Sequence, residues 1–111
     1  MSEPYLQDAD CTLYQGDALE VLRTLPAESV HMACTSPPFY GLRDYGVEGQ
    51  IGLEPTPDLW VARLVEVFAE VRRVLRKDGT LWVEIGDSYG ANTGSGNRSE
   101  GLDPNHTPNA W

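Results

Sequence analysis

Residues 56–85 join an amphipathic helix directly to an apolar strand, and this pair limits the folds open to the chain. Thr56 suits a helix N-cap, Pro57 the first helical position, and Asp58 the positive end of the helix dipole. Trp60, Leu64, Val67, Phe68, Val71, Val74 and Leu75 recur on one face. Arg72, Arg73, Arg76 and Lys77 crowd the last turns, where cations are favoured, and Asp78-Gly79 closes the helix. Thr80–Ile85 reads as a strand, with Gly86-Asp87-Ser88-Tyr89 at its end. An apolar helix face followed at once by a strand needs a sheet to pack on.

The upstream half repeats the alternation. Cys11–Gln15 is β-prone, and Gly16-Asp17 breaks it. Leu19, Leu22 and Leu25 fall at helical spacing, with Asp17 placed to cap the helix and Pro26 to end it. Val30–Thr35 reads as a second, mostly buried strand, with Cys34 in its core and His31 structural. Ser36-Pro37-Pro38-Phe39 stops that strand, because neither proline can donate to a ladder. Residues 40–55 are Gly-rich and read as a functional loop. The order strand–helix–strand–loop–helix–strand implies an α/β fold with a parallel sheet. Residues 1–10 read as a loose leader, 11–90 as the folded body and 91–111 as a polar, disordered segment that includes His106.

Charge narrows the partners. Eight Lys plus Arg face seventeen Asp plus Glu, a formal net charge of −9. That balance opposes autonomous binding to a phosphate backbone. No stretch approaches the roughly 20 apolar residues of a membrane span. Two cysteines without C-x-x-C spacing exclude a zinc ribbon or a disulfide scaffold and fit a reducing cytoplasm. No metal-ligand pattern stands out.

Ligands of open α/β sheets bind at the carboxyl ends of the strands. Three polar clusters fall there: Gly16-Asp17, Ser36-Pro37-Pro38-Phe39 and Gly86-Asp87-Ser88-Tyr89. In the second, a serine oxygen and a proline carbonyl can accept bonds from one amino group while Phe39 stacks on a flat ring. The plain alternative is a Pro-Pro loop that ends a strand.

Thr35-Ser36-Pro37-Pro38-Phe39 resembles the catalytic motif of S-adenosylmethionine-dependent DNA amino-methyltransferases, an Asp, Asn or Ser followed by Pro-Pro and an aromatic. Residues 14–46 resemble the opening of the group whose catalytic motif precedes its cofactor motif, and residues 51–90 resemble the segment that follows. The resemblance implies a partial Rossmann-like α/β sheet, mainly parallel, with strands missing. It implies transfer of a methyl group from S-adenosylmethionine to an exocyclic amine of a base flipped out of double-stranded DNA. Ser36 and the Pro37 carbonyl would hold the amine, and Pro38 and Phe39 complete the motif, with Phe39 stacking on the base. The nitrogen attacks the sulfonium methyl in line, and oxygen acceptors stabilise its growing positive charge. Asp17, Thr35 and Ser36 would face the cofactor, though Asp17 also serves as a cap. Tyr40, Arg43, Asp87 and Ser88 would approach the base or DNA, though Arg43 can instead pair with Asp44 or Glu48, and Asp87-Ser88 can be a plain turn.

The family's Phe-x-Gly-x-Gly cofactor segment and its basic recognition region do not appear in the sequence. Gly94-Ser95-Gly96 follows no strand and is a weak mimic. In the family sheet the strand before Asp17 and the strand before Ser36 are not neighbours, so a gap and exposed edges are expected. Ser before Pro-Pro tilts the target to cytosine N4, with adenine N6 open. A non-catalytic remnant, completed by a C-terminal segment or by self-association, is the alternative from another class. Methylation of a planar amide such as glutamine is a third.

Overall fold

The computed structural model describes residues 3–86. A hairpin of β1 (Leu6–Gln7) and β2 (Thr12–Leu13) precedes helix α1 (Ala18–Thr24) and strand β3 (Val30–Thr35). Helix α2 (Pro57–Val74) runs into strand β4 (Leu75–Val83). The strands form two separate pairs, β1–β2 antiparallel and β3–β4 parallel. This is a small α/β arrangement of the kind a partial Rossmann-like methyltransferase sheet would leave. The expected gap is there: β2, which leads to Asp17, does not pair with β3, which leads to Ser36.

Local chemistry places both helices where the sequence puts them. Asp17 caps α1, its Oδ1 accepting from the Glu20 amide at 3.1 Å. Thr56 caps α2, its hydroxyl accepting from the Leu59 amide at 3.3 Å, and Pro57 opens the helix. The helices pack side by side, with Leu19 of α1 and Leu64, Val71 and Val74 of α2 buried. Arg73 ties them together: its Nη2 donates to the carbonyls of Leu22 and Leu25 at 2.9 and 3.0 Å. Its Nε also donates to Glu70 at 2.6 Å, so the charge is held while it closes the end of α1.

Three expectations are corrected. Helix α2 stops at Val74, not at Lys77. The amides of Glu28 and Ser29 donate to the carbonyls of Arg73 and Val74, and Leu75 is extended, with ψ 139°. The approach to β3 thus satisfies the last carbonyls, and the chain turns into the ladder. The step from Val30 to Met32 on β3 is matched by the step from Leu75 to Thr80 on β4, so Arg76–Gly79 bulge outward. Gly79 permits this, because a Cβ there would lie 3.0 Å from the carbonyls of His31 and Arg76.

The second correction concerns the leader, expected loose over 1–10: Leu6–Gln7 within it pair with Thr12–Leu13 of the β-prone run as a hairpin. Asp8 builds the turn, its Oδ1 accepting from the amides of Asp10 and Cys11.

The third concerns β3, which is not mostly buried. Cys34 and His31 are exposed, and Met32 is 57% exposed beside Trp82 at 63% on β4. A strand with one neighbour among the described residues cannot be buried on both sides, as strands of larger parallel sheets are. Among the described residues, no helix is long and apolar enough to cross a membrane.

Candidate active site

The end of β3 is anchored to the end of β4 by the Glu84 amide, which donates to the Thr35 carbonyl at 3.0 Å. Beyond that bond the ladder must stop, since Pro37 and Pro38 have no N–H. Ser36 emerges exposed, Pro37 is buried, and Pro38, Phe39 and Tyr40 are half-buried. The motif thus presents a serine to solvent on a proline base packed into the protein.

Three contacts hold the turn. The indole N–H of Trp60, in the first turn of α2, donates to the Pro38 carbonyl at 3.0 Å. The Tyr40 ring leans on the Trp60 ring, with centroids 5.9 Å apart and planes 47° apart. The Phe39 ring lies against Gly86, where a Cβ would sit 2.6 Å from Phe39 Cε2. Gly52 closes the other side, at φ +113°, where a Cβ would come within 3.1 Å of the Phe39 carbonyl. Sequence reasoning placed Trp60 only on the apolar helix face; it set Gly86 in a polar cluster at a strand end but not against Phe39, and it gave Gly52 no part. The missed signal in Trp60 is chemical. Indole is a donor without an acceptor, and a Pro-Pro turn offers carbonyls that have lost their ladder partners.

The following loop is closed on itself. The Gly41 amide donates to the Gly52 carbonyl at 2.7 Å. Gln50 clamps the interior, donating through Nε2 to the Arg43 carbonyl and accepting through Oε1 from the Tyr45 amide. Arg43 is exposed and pairs with neither Asp44 nor Glu48 among the described residues; Asp44 instead accepts from the Gly46 amide. Tyr45 and Val47 are exposed at the loop tip.

The structure brings Thr35, Ser36, Pro37, Pro38, Phe39 and Tyr40 together around Trp60 and Gly86. It does not bring Asp17 into that cluster: Asp17 stands exposed at the start of α1 and makes its described contacts within that helix. Asp87 and Ser88 lie outside the described residues. His31 lies on β3 before the motif, its Nε2 3.3 Å from Arg76 Nη1. Chemically, the arrangement offers uncharged oxygen acceptors and an aromatic face at a strand end. These suit a planar ring that bears an amino group.

The sequence profile of the DNA methylase family, the N6/N4 methyltransferases, matches residues 30–104. The chain belongs to this family. The family match begins at the first residue of β3, so it takes in the Ser-Pro-Pro-Phe turn, the clamped loop, α2 and β4, and leaves Asp17 outside. The chain is 61% identical over 87 residues to the Type II methyltransferase M.XycI of Xanthomonas campestris pv. cyanopsidis, which covers 78% of this chain and 28% of that protein. It is 56% identical over 97 residues to the Type II methyltransferase M.Cfr9I of Citrobacter freundii, covering 87% of this chain and 31% of that one. It is 38% identical over 72 residues to the DNA adenine methyltransferase YhdJ of Escherichia coli (strain K12), covering 65% and 24%. The chain therefore spans about three tenths of the length of the first two relatives. No solved structure matches it.

Proposed function

We propose that the protein carrying this chain is a site-specific DNA methyltransferase that transfers a methyl group from S-adenosylmethionine to the exocyclic amine of a flipped base, cytosine N4. The observation that carries this reading is the Ser36-Pro37-Pro38-Phe39 turn at the carboxyl end of a parallel strand, in a chain of the DNA methylase family. The Type II methyltransferases that resemble it support site-specific modification, and the resemblance to a DNA adenine methyltransferase keeps adenine N6 as the alternative base.

The residues present fit the amine better than the donor. Ser36 is exposed and can accept one amino hydrogen, and the Pro37 carbonyl can accept the other. Phe39, held against Gly86, offers its ring to the base. S-adenosylmethionine supplies an electrophilic methyl group. As the amine nitrogen becomes cationic, the two oxygens stabilise the charge, and exposed Ser36 gives the released proton a path to water. Asp17 is exposed, and its described cap uses only Oδ1, which leaves a carboxylate oxygen to accept from a donor hydroxyl or amine.

The test is product analysis. The full-length protein is incubated with unmethylated DNA and a methyl-labelled donor, and the DNA is digested to nucleosides. N4-methyl-2′-deoxycytidine is expected. Labelled N6-methyl-2′-deoxyadenosine moves the target base, and unlabelled DNA overturns the reading. Asn caps a helix as well as Asp does, so Asp17→Asn should keep the melting temperature while weakening donor binding about 10-fold by calorimetry. Unchanged donor affinity removes Asp17 from the site.

A second reading draws on the bare face of the β3–β4 sheet, where Met32 and Trp82 are exposed. There the described residues are one part of a site completed by another polypeptide segment or a second copy. The same assay separates the two: under this reading the 111-residue chain transfers nothing alone and gains activity when the segment is added.

A further inference from the structure

We propose that Trp60 is a positioning residue for methyl transfer, selecting which backbone carbonyl of the Pro-Pro turn faces the target amine. This rests on the methyltransferase reading above. The turn leaves two successive carbonyls without ladder partners, those of Pro37 and Pro38, because the prolines end the ladder. Trp60 takes the second: its indole N–H donates to the Pro38 carbonyl at 3.0 Å across 22 residues of sequence, in a partly buried setting. No hydrogen bond among the described residues uses the Pro37 carbonyl. The indole has no acceptor of its own, so it cannot compete for the amine. It engages the Pro38 carbonyl and leaves the Pro37 carbonyl the unengaged acceptor of the two among the described residues.

The same bond fixes the peptide plane between Pro38 and Phe39. That plane sets where the Phe39 side chain begins, and Gly86 sets where its ring ends. Trp60 can impose this because its own backbone is fixed. The Trp60 amide donates to the Thr56 carbonyl at 3.2 Å, and the Thr56 hydroxyl caps the same turn. The Tyr40 ring against Trp60 then holds the chain just past Phe39. The first turn of α2 is thus the rigid part from which the catalytic turn takes its shape, as preorganised acceptors require.

Trp60→Phe tests this in the full-length protein, because it removes the indole donor while keeping an aromatic ring, though a smaller one, for Tyr40. The expected result is a fall in kcat of about 10-fold, with the KM for the methyl donor within about twofold of wild type. A general loosening of the fold would instead move both constants and the melting temperature. A Trp60→Phe enzyme with wild-type kcat overturns the proposal. A second measurement needs no activity: the Trp60 indole proton should exchange with solvent at least about 10-fold more slowly than that of exposed Trp82. Equal exchange rates overturn the proposal as well. If wild-type protein modifies no DNA, the methyltransferase reading fails by itself, and the exchange rates still decide whether Trp60 holds Pro38.

Discussion

Gly86→Ala lowers methyl transfer by about 100-fold while the helices and the β3–β4 pair remain folded. The cause is steric. A Cβ at position 86 would stand 2.6 Å from Cε2 and 3.0 Å from Cδ2 of Phe39, and ordinary carbon contacts begin near 3.5 Å. The ring must therefore move by about 1 Å, the displacement at which misplaced catalytic groups lose about two orders of magnitude in rate. Strain falls on a side chain and not on the backbone, so the fold survives. Phe39→Ala tests the route. If alanine at 86 acts through the ring, the double variant is no worse than Phe39→Ala alone, because the two changes share one cause. Additive losses would show another origin, and wild-type turnover in Gly86→Ala would show that the ring position is immaterial. Phe39→Ala itself should also cost stability. The half-buried ring packs on Gly86, and its loss leaves that contact empty.

Ser36→Ala is the second large effect. Removing one preorganised polar partner of a developing charge costs about 100-fold in kcat. Ser36 is exposed and takes part in no hydrogen bond among the described residues, so the melting temperature should not change. Steady-state rates and a thermal melt on one preparation check both halves. Turnover retained within a factor of about two would remove Ser36 from the site. A large thermal loss would mean the side chain works inside the fold and not on a substrate.

The parts of this protein that can be read from sequence are those decided within a few residues. Asp17 before Leu19 and Thr56-Pro57 before Trp60 carry their own capping chemistry, and both helices begin there. The Pro-Pro stop after Thr35 is equally local. The end of α2 was not legible, because Val74 is terminated by amides 45 residues upstream that no local pattern reveals. Burial of β3 was misjudged for a related reason. Val30–Thr35 has the composition of a covered strand, but exposure depends on how many strands surround it, and among the described residues β3 has one neighbour. The candidate site divides the same way. Ser36 to Phe39 announce themselves by type and order. Trp60 and Gly86 become visible only when α2 and the end of β4 are folded against the turn. Asp87 and Ser88, assigned to the base pocket by resemblance, lie outside the described residues.

Arg73 gives the two helices a shared mechanical fate. Its guanidinium spans from α2 to the carbonyls that end α1, through two charge-assisted bonds worth about 1.5–3 kcal/mol each. Arg23 of α1 and Glu66 of α2 add an exposed tie at 3.1 Å. Sliding one helix past the other must break these links, so they oppose it. Asp17 rides on the first turn of one helix, and Trp60 rides on the first turn of the other. Asp17 and the Ser36-Pro37-Pro38-Phe39 turn are thus connected through the packed helices, by way of Arg73 and Trp60, and not through a strand pair between β2 and β3.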